Sequence, residues 1–262
     1  MANHESQRKP EVIADLTQWM ALRRKIKAAG KSVGFVPTMG ALHAGHASLL
    51  QRCREENDVT VLSIYVNPTQ FDNKDDLAKY PVTLESDQAT AARMGVDYIL
   101  LPSYQQIYPD AYRYKLSEDS LSRRLCGAHR PGHFDGVLTV VMKLLNVVRP
   151  EKAYFGEKDH QQLELVKGMA EAFFMDCEII PCPTIREKDG LAMSSRNVRL
   201  TPEDRAKAPL FAKTLQEAES VADARTHLEK LGFEVDYVED IGPRRYGAVK
   251  LGLVRLIDNV ER

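Results

Sequence analysis

Five short apolar runs, each followed by a stretch of helical character or a turn, constrain this chain more than any other feature. They are SVGFVP (32–37), VTVLSIYV (59–66), DYILLP (97–102), KAYFG (152–156) and CEIIPCP (177–183). Between them, HASLLQRCREEN places Leu49, Leu50 and Cys53 at helical spacing, and LESDQATAARMG ends on Gly95. GVLTVVMKLLNVVRP stops before Pro150, and DHQQLELVKGMAEAFF follows the fourth run. Buried strands alternating with helices imply an α/β fold with a parallel sheet covered on both faces. In such sheets ligands sit at the carboxyl ends of the strands.

The pattern changes after PCPTIREKDG. TPEDRAKAPLFAKTLQEAESV reads as a long helical segment, with Thr201 as N-cap, Pro202 in the first helical position and a kink at Pro209. The late runs FEVDYVED and VKLGLVRLIDNV flank a turn containing GPRR. A small sheet packed with that helix is expected to form a second domain, with residues 1–183 as the first and 184–262 as the second. A length of 262 residues accommodates two such units.

Charge is balanced, with 36 basic against 37 acidic residues, so no global field points to nucleic acid or an anionic membrane. Any phosphate site must be local. Cys53, Cys126, Cys177 and Cys182 are widely spaced with no C-x-x-C pair, which argues against a zinc ribbon or a disulfide framework. The opening MANHESQRKPEVIADL lacks the apolar core of a signal peptide, and no run approaches a membrane span. A cytoplasmic location is the expectation.

Local anion sites are available. In VGFVPTMGALHAGHASLLQRC, a strand ends at Pro37 and a helix begins after Gly40 and Gly45, presenting free backbone N–H groups and a positive helix end. His43 and His46, three residues apart, share a side of that first turn. YFGEKDHQQLEL repeats the joint, with Lys158 and Asp159 at the turn and Gln162 one turn on. DGLAMSSRNVRL offers Ser194, Ser195 and the fork of Arg196. VNPTQF sets Gln70 at the sheet's carboxyl edge, and HRPGHFDGV sets Arg130 and His133 before a long helix. One cleft between the domains can collect all of these.

PTMGALHAGH, VNPTQF, RPGHF, YFGEKDHQQL and LAMSSRN, in this order, together with the terminal RLIDN, closely resemble the pantothenate synthetase (pantoate–β-alanine ligase) family. HAGH resembles the HIGH element of class I nucleotidyltransferases, and MSSRN stands where those enzymes carry a KMSKS-like loop. The resemblance implies a Rossmann-like first domain, a C-terminal α+β lid domain, and commonly a homodimer. It implies that pantoate and ATP give a pantoyl adenylate and pyrophosphate, with β-alanine then displacing AMP, and that magnesium accompanies the ATP. By position it places Met39, Gly40, Ala41, Leu42, His43, Ala44, Gly45 and His46 at the ATP site. Gly156, Glu157, Lys158, Asp159, Ile185, Met193, Ser194, Ser195 and Arg196 join them. His46, which the family pattern marks as proton donor, acts with His43, Lys158 and Arg196 in catalysis. These four and the helix N-terminus are expected to cancel anionic repulsion and to stabilise charge on the departing pyrophosphate. Gln70 and Gln162 hold pantoate, with Arg130 and His133 assigned to the pantoate and β-alanine region.

Three departures from the family pattern stand out. The acidic pair common in the segment matching TLESDQAT is reduced to Asp87, leaving it the single carboxylate through which the protein would touch magnesium. Cys126 stands where glutamate is common. The region before RLIDN is shorter than usual, implying a trimmed lid. The competing readings are another adenylyl- or cytidylyltransferase with the same HIGH-type element, which the two glutamines oppose, and a nucleotide-binding regulatory protein without turnover.

Overall fold

The computed structural model describes residues 9–262; residues 1–8, the first half of the polar opening stretch considered above, lie outside them. Six parallel strands form the first sheet: β1 (Glu11–Ile13), β2 (Val33–Thr38), β3 (Val59–Ile64), β4 (Tyr98–Leu100), β5 (Lys152–Gly156) and β6 (Glu178–Cys182). Their order is β1-β4-β3-β2-β5-β6. The five runs read from the sequence are β2 to β6. β1 escaped that reading because only Ile13 of its three residues is buried, which leaves no pattern to detect.

Residues of β2 point alternately into two cores. Phe35 packs with Val137, Leu138 and Val141 of the helix His133–Val148, whereas Val36 packs with Leu49, Leu50 and Cys53 of the helix Ala44–Glu56. Helices thus cover both faces, as the unbroken apolar runs require. Chain order runs outward from β2 through β3 to β4 on one side, and from β5 to β6 on the other. The reversal lies between β2 and β5, so the loops leaving those two strands diverge and open a crevice at their carboxyl ends. Those loops contain HAGH and GEKD.

The second sheet is antiparallel, ordered β7 (Glu234–Ile241), β8 (Arg244–Leu251) and β9 (Val254–Glu261). VKLGLVRLIDNV, read as one run, is two strands. Gly252 at φ +57 makes the turn between them, a conformation an L side chain rarely adopts. Thr201 caps its helix, accepting from Asp204 N at 3.1 Å, and the helical segment divides into Pro202–Lys207 and Pro209–Glu217, bending where Pro209 removes a donor. A further helix, Val221–Lys230, buries Ala224 and Leu228 against the sheet.

One glycine links this fold to the site. Gly136, in the first turn of the helix His133–Val148, lies so close to the turn after β3 that an added Cβ would sit 2.6 Å from the Thr69 carbonyl carbon and 2.7 Å from Gln70 N. Backbone cannot yield as a side-chain tip can. Gly136→Ala is therefore expected to cost about 1–3 kcal/mol of stability, the range for overpacking, and to displace Gln70. Denaturant unfolding measures the first effect; an unchanged midpoint would contradict the packing described.

Candidate active site

At the crevice, a cavity of about 910 Å³ lies between the carboxyl edge of the first sheet and residues of β8 and β9. The loop after β2 enters it in a form set by Asp87. That buried carboxylate accepts from Ala41 N at 3.0 Å and Leu42 N at 2.8 Å, and also from the Thr83 hydroxyl at 3.1 Å. Gly40 at φ +82 permits the approach, since a Cβ there would lie 2.9 Å from Asp87 Oδ2. Asp87 does not line the cavity. For this residue, expected as a magnesium ligand, the structure shows oxygens engaged in folding the loop. No cluster of three metal-ligating side chains occurs among the described residues.

The histidines cap the helix Ala44–Glu56. His43 Nδ1 accepts from Gly45 N at 3.2 Å, and His46 Nδ1 accepts from His43 N at 3.3 Å, a reciprocal box made of two imidazoles. Their ring centroids are 4.1 Å apart. Gly45 admits the arrangement, because a Cβ there would meet the His43 ring at 2.9 Å. Both Nδ1 atoms accept, so the neutral tautomers carry their proton on Nε2. Burial, reinforced by Lys158, lowers the His43 pKa to about 4; burial, reinforced by His43, lowers that of His46 to about 3. In the free protein these rings are therefore neutral, and they would meet phosphate charge as N–H donors rather than as cations. Fixed positive charge resides on Lys158 and Arg196.

Lys158 follows β5 in the turn Glu157–Asp159, its Nζ 3.6 Å from Asp159 Oδ1. Arg196 donates to Asp76 Oδ2 at 2.9 Å, and Arg199 donates to Asp76 Oδ1 at 2.6 Å. Burial pushes the Asp76 carboxyl up, yet the bonds from both arginines more than offset it and leave the group below the usual carboxylate range. Tyr80 OH lies 3.4 Å from Ser195 Oγ, and the Arg196 guanidinium stands over the Tyr80 ring.

Gln70 is held on all sides. Its Oε1 accepts from Asn67 at 3.0 Å and its Nε2 donates to Met39 Sδ at 3.3 Å. His133 Nδ1 donates to the Gln70 carbonyl at 2.7 Å, while His133 Nε2 accepts from Arg130 at 3.1 Å. Arg130 in turn donates to Asp72 at 2.7 Å. Burial, with Arg130 adding to it, lowers the His133 pKa to about 3. Arg130 and His133 line the cavity, but their hydrogen bonds run to the Gln70 turn. Cys126 places its N–H on Gln161 Oε1 at 3.1 Å and its Sγ 3.1 Å from Tyr237 OH, a buried joint between the two sheets. All four cysteines are free.

Of the residues expected at the nucleotide site, Met39, His43, Gly45 and His46 line the cavity, as do Gly156, Lys158, Asp159, Ile185 and Met193–Arg196. Gly40, Ala41, Leu42, Ala44 and Glu157 do not; they shape the turns behind it. Gln70 and Gln162 both line it. Sequence reasoning missed Asp72, Asp76 and Tyr80, whose segment reads as an ordinary polar surface, and it missed Asn67. Its side chain is buried and joins Gln70, Tyr108 OH at 2.8 Å and the Gly136 carbonyl at 3.2 Å.

A family model described as Pantoate-beta-alanine ligase matches residues 11–261. The chain belongs to this family. It is 59% identical over 251 residues to a pantothenate synthetase of Bdellovibrio bacteriovorus, covering 96% of this chain and 99% of that one. It is 51% identical to one of Legionella pneumophila, covering 95% and 98%. A crystal structure of pantoate-beta-alanine ligase from Francisella tularensis, complexed with beta-gamma ATP and beta-alanine, superposes with a TM-score of 0.92 at 38% identity, covering 96% and 97%. Pantothenate synthetase from Thermus thermophilus gives 0.88 at 37%, covering 96% and 99%. Nearly the full length of each of these relatives is matched, so this chain is not shortened relative to them.

Three capping or bonded imidazoles held neutral make stability pH-dependent. Their folded pKa values lie below the unfolded value of about 6.5, so between those limits the unfolded chain binds more protons. Stability is full above about pH 6.5 and falls as pH drops toward 4. The ligand-free protein should show a lower thermal midpoint at pH 5 than at pH 7.5, and His133→Asn should flatten that dependence. A midpoint independent of pH across this window would contradict the neutral, capping histidines.

Proposed function

We propose that this protein condenses pantoate with β-alanine to pantothenate at the expense of ATP, through a pantoyl adenylate, releasing pyrophosphate and AMP. The observation that carries the reading is the single cavity in which a histidine-capped helix N-terminus, Lys158 and Arg196 face two neutral amides, Gln70 and Gln162. The first group suits a triphosphate, the second a hydroxy acid.

The pantoate carboxylate is ionised at neutral pH and needs no base to attack the α-phosphorus. A bond forms between that oxygen and phosphorus, and the bond to the bridging oxygen of pyrophosphate breaks. Charge accumulating on pyrophosphate is met by Lys158, Arg196, the helix N-terminus and the Nε2–H groups of His43 and His46. Donors already oriented by capping need no reorganisation as charge develops. The polyphosphate must share Arg196 with Asp76, which leaves that arginine positioned before the nucleotide arrives. Magnesium would arrive with the nucleotide and would supply further neutralisation of its phosphate charge. The β-alanine amine then attacks the acyl carbon, expels AMP and releases a proton.

Gln70 and Gln162 hold pantoate without adding charge to its carboxylate, and the Asp72–Arg130–His133 chain keeps Gln70 in place. The reading includes a homodimer, a cytoplasmic location and a lid formed by residues from about 184 onward; no described helix is long and apolar enough to cross a membrane.

A reversible adenylate exchanges labelled pyrophosphate into ATP when pantoate is present and β-alanine absent. His46→Ala should lower that exchange by roughly two or more orders of magnitude, as expected for loss of a positioned donor to developing charge. Exchange that required β-alanine in the wild type would refute the two-step order. Gln70→Ala or Gln162→Ala should weaken pantoate far more than ATP in direct binding; equal losses would contradict the division of the cavity.

A further inference from the structure

The last strand carries two adjacent buried polar residues whose side chains leave their own sheet. Asp258 and Asn259 are each 4% exposed. Asn259 Nδ2 donates to the Glu157 carbonyl at 2.8 Å and the Lys158 carbonyl at 3.0 Å, while its Oδ1 accepts from Arg244 at 2.6 Å. Asp258 takes Arg186 in a bidentate pair at 2.6 and 2.9 Å. Arg186 belongs to a hairpin closed by Met193 N donating to the Ile185 carbonyl at 3.0 Å, and it also donates to the Gly190 carbonyl at 3.1 Å. That hairpin leads directly into Ser194, Ser195 and Arg196. Two neighbouring residues of β9 thus hold the two loops that bring positive charge to the cavity.

Burying such groups is costly unless every partner is supplied, so a merely structural strand end would place apolar residues here. Lys158 depends on this support. It lies in a single 3-10 turn whose peptide carbonyls Asn259 grips, and its Nζ forms an ion pair with Asp159 at 3.6 Å.

We propose that Asn259 is a positioning residue for Lys158, so that the nucleotide cations assume their places only when β9 is docked on the Glu157–Asp159 turn. This rests on the reading of Lys158 as a phosphate ligand given above. Asp258 serves the Arg196 hairpin in the same manner. Docking the second unit and organising the triphosphate site are then one event.

The test is a double-mutant cycle read by direct binding of magnesium with a non-hydrolysable ATP analogue, alongside pantoate binding. N259D preserves shape and the Arg244 contact but removes both donors. It should weaken the ATP analogue by about tenfold, in keeping with two lost hydrogen bonds, with pantoate affinity within about twofold. In a K158A background, the same substitution should have no further effect on the analogue. If N259D does not fold, N259A removes the same donors without charge and is read identically. Unchanged analogue affinity, an equal loss of pantoate, or the same loss in the K158A background would overturn the proposal. K158A alone leaving analogue affinity intact would instead overturn the reading of Lys158 on which it rests.

Discussion

Two imidazole nitrogens accepting hydrogen bonds from the first turn of the helix Ala44–Glu56 are the contact on which the site depends. An Nδ1 atom can accept only when unprotonated, so capping, tautomer and charge state are a single constraint. It is satisfied because burial already disfavours the imidazolium and Lys158 lies close enough to oppose it further. The same constraint requires glycine at position 45, where the His43 ring folds back, and at position 40, where Asp87 grips the loop. The HAGH segment works here as a helix cap whose Nε2–H groups remain as donors.

From that contact the division of electrostatic labour follows. Neutral histidines provide direction, while Lys158 and Arg196 provide charge, and each cation already has a carboxylate near it: Asp159 for one, Asp76 for the other. An unliganded site with uncompensated buried cations would be costly. Asp76 bonds both Arg196 and Arg199, so the loop carrying the serines is tied to the segment after Gln70 before any ligand is present. The segment after Gln70 and the Ser194–Arg196 loop are therefore mechanically joined, through Tyr80 and Asp76.

Much of the fold was legible because β2, β3 and β5 are buried on both faces, which leaves unbroken apolar runs, and β4 and β6 keep short apolar runs of their own. β1 and the β8–β9 turn were not, since three residues with one buried position carry no period, and LGLV reads as strand unless Gly252 is recognised as needing positive φ. In the site, residues adjacent in sequence to a glycine turn were identified, whereas those acting across the chain were not. The metal reading of Asp87 rests on the family resemblance, and its role in folding the loop is hidden in the sequence because its backbone partners, Ala41 and Leu42, are far away along the chain. Asp76 and Asn259 were invisible for the same reason: their partners lie more than a hundred residues away. Arg130 and His133 line the cavity, and their hydrogen bonds to the Gln70 turn are beyond what a sequence displays.

The central claim, that one cavity joins pantoate to β-alanine through ATP, is tested most directly by following all products of the purified protein together. Mass spectrometry of a reaction containing pantoate, β-alanine and magnesium ATP should show pantothenate and AMP rising in equal amounts, with one pyrophosphate for each. Oxygen-18 placed in the pantoate carboxylate should appear in AMP, because activation makes that oxygen part of the phosphate it leaves with. ADP in place of AMP, or AMP free of the label, would contradict the account.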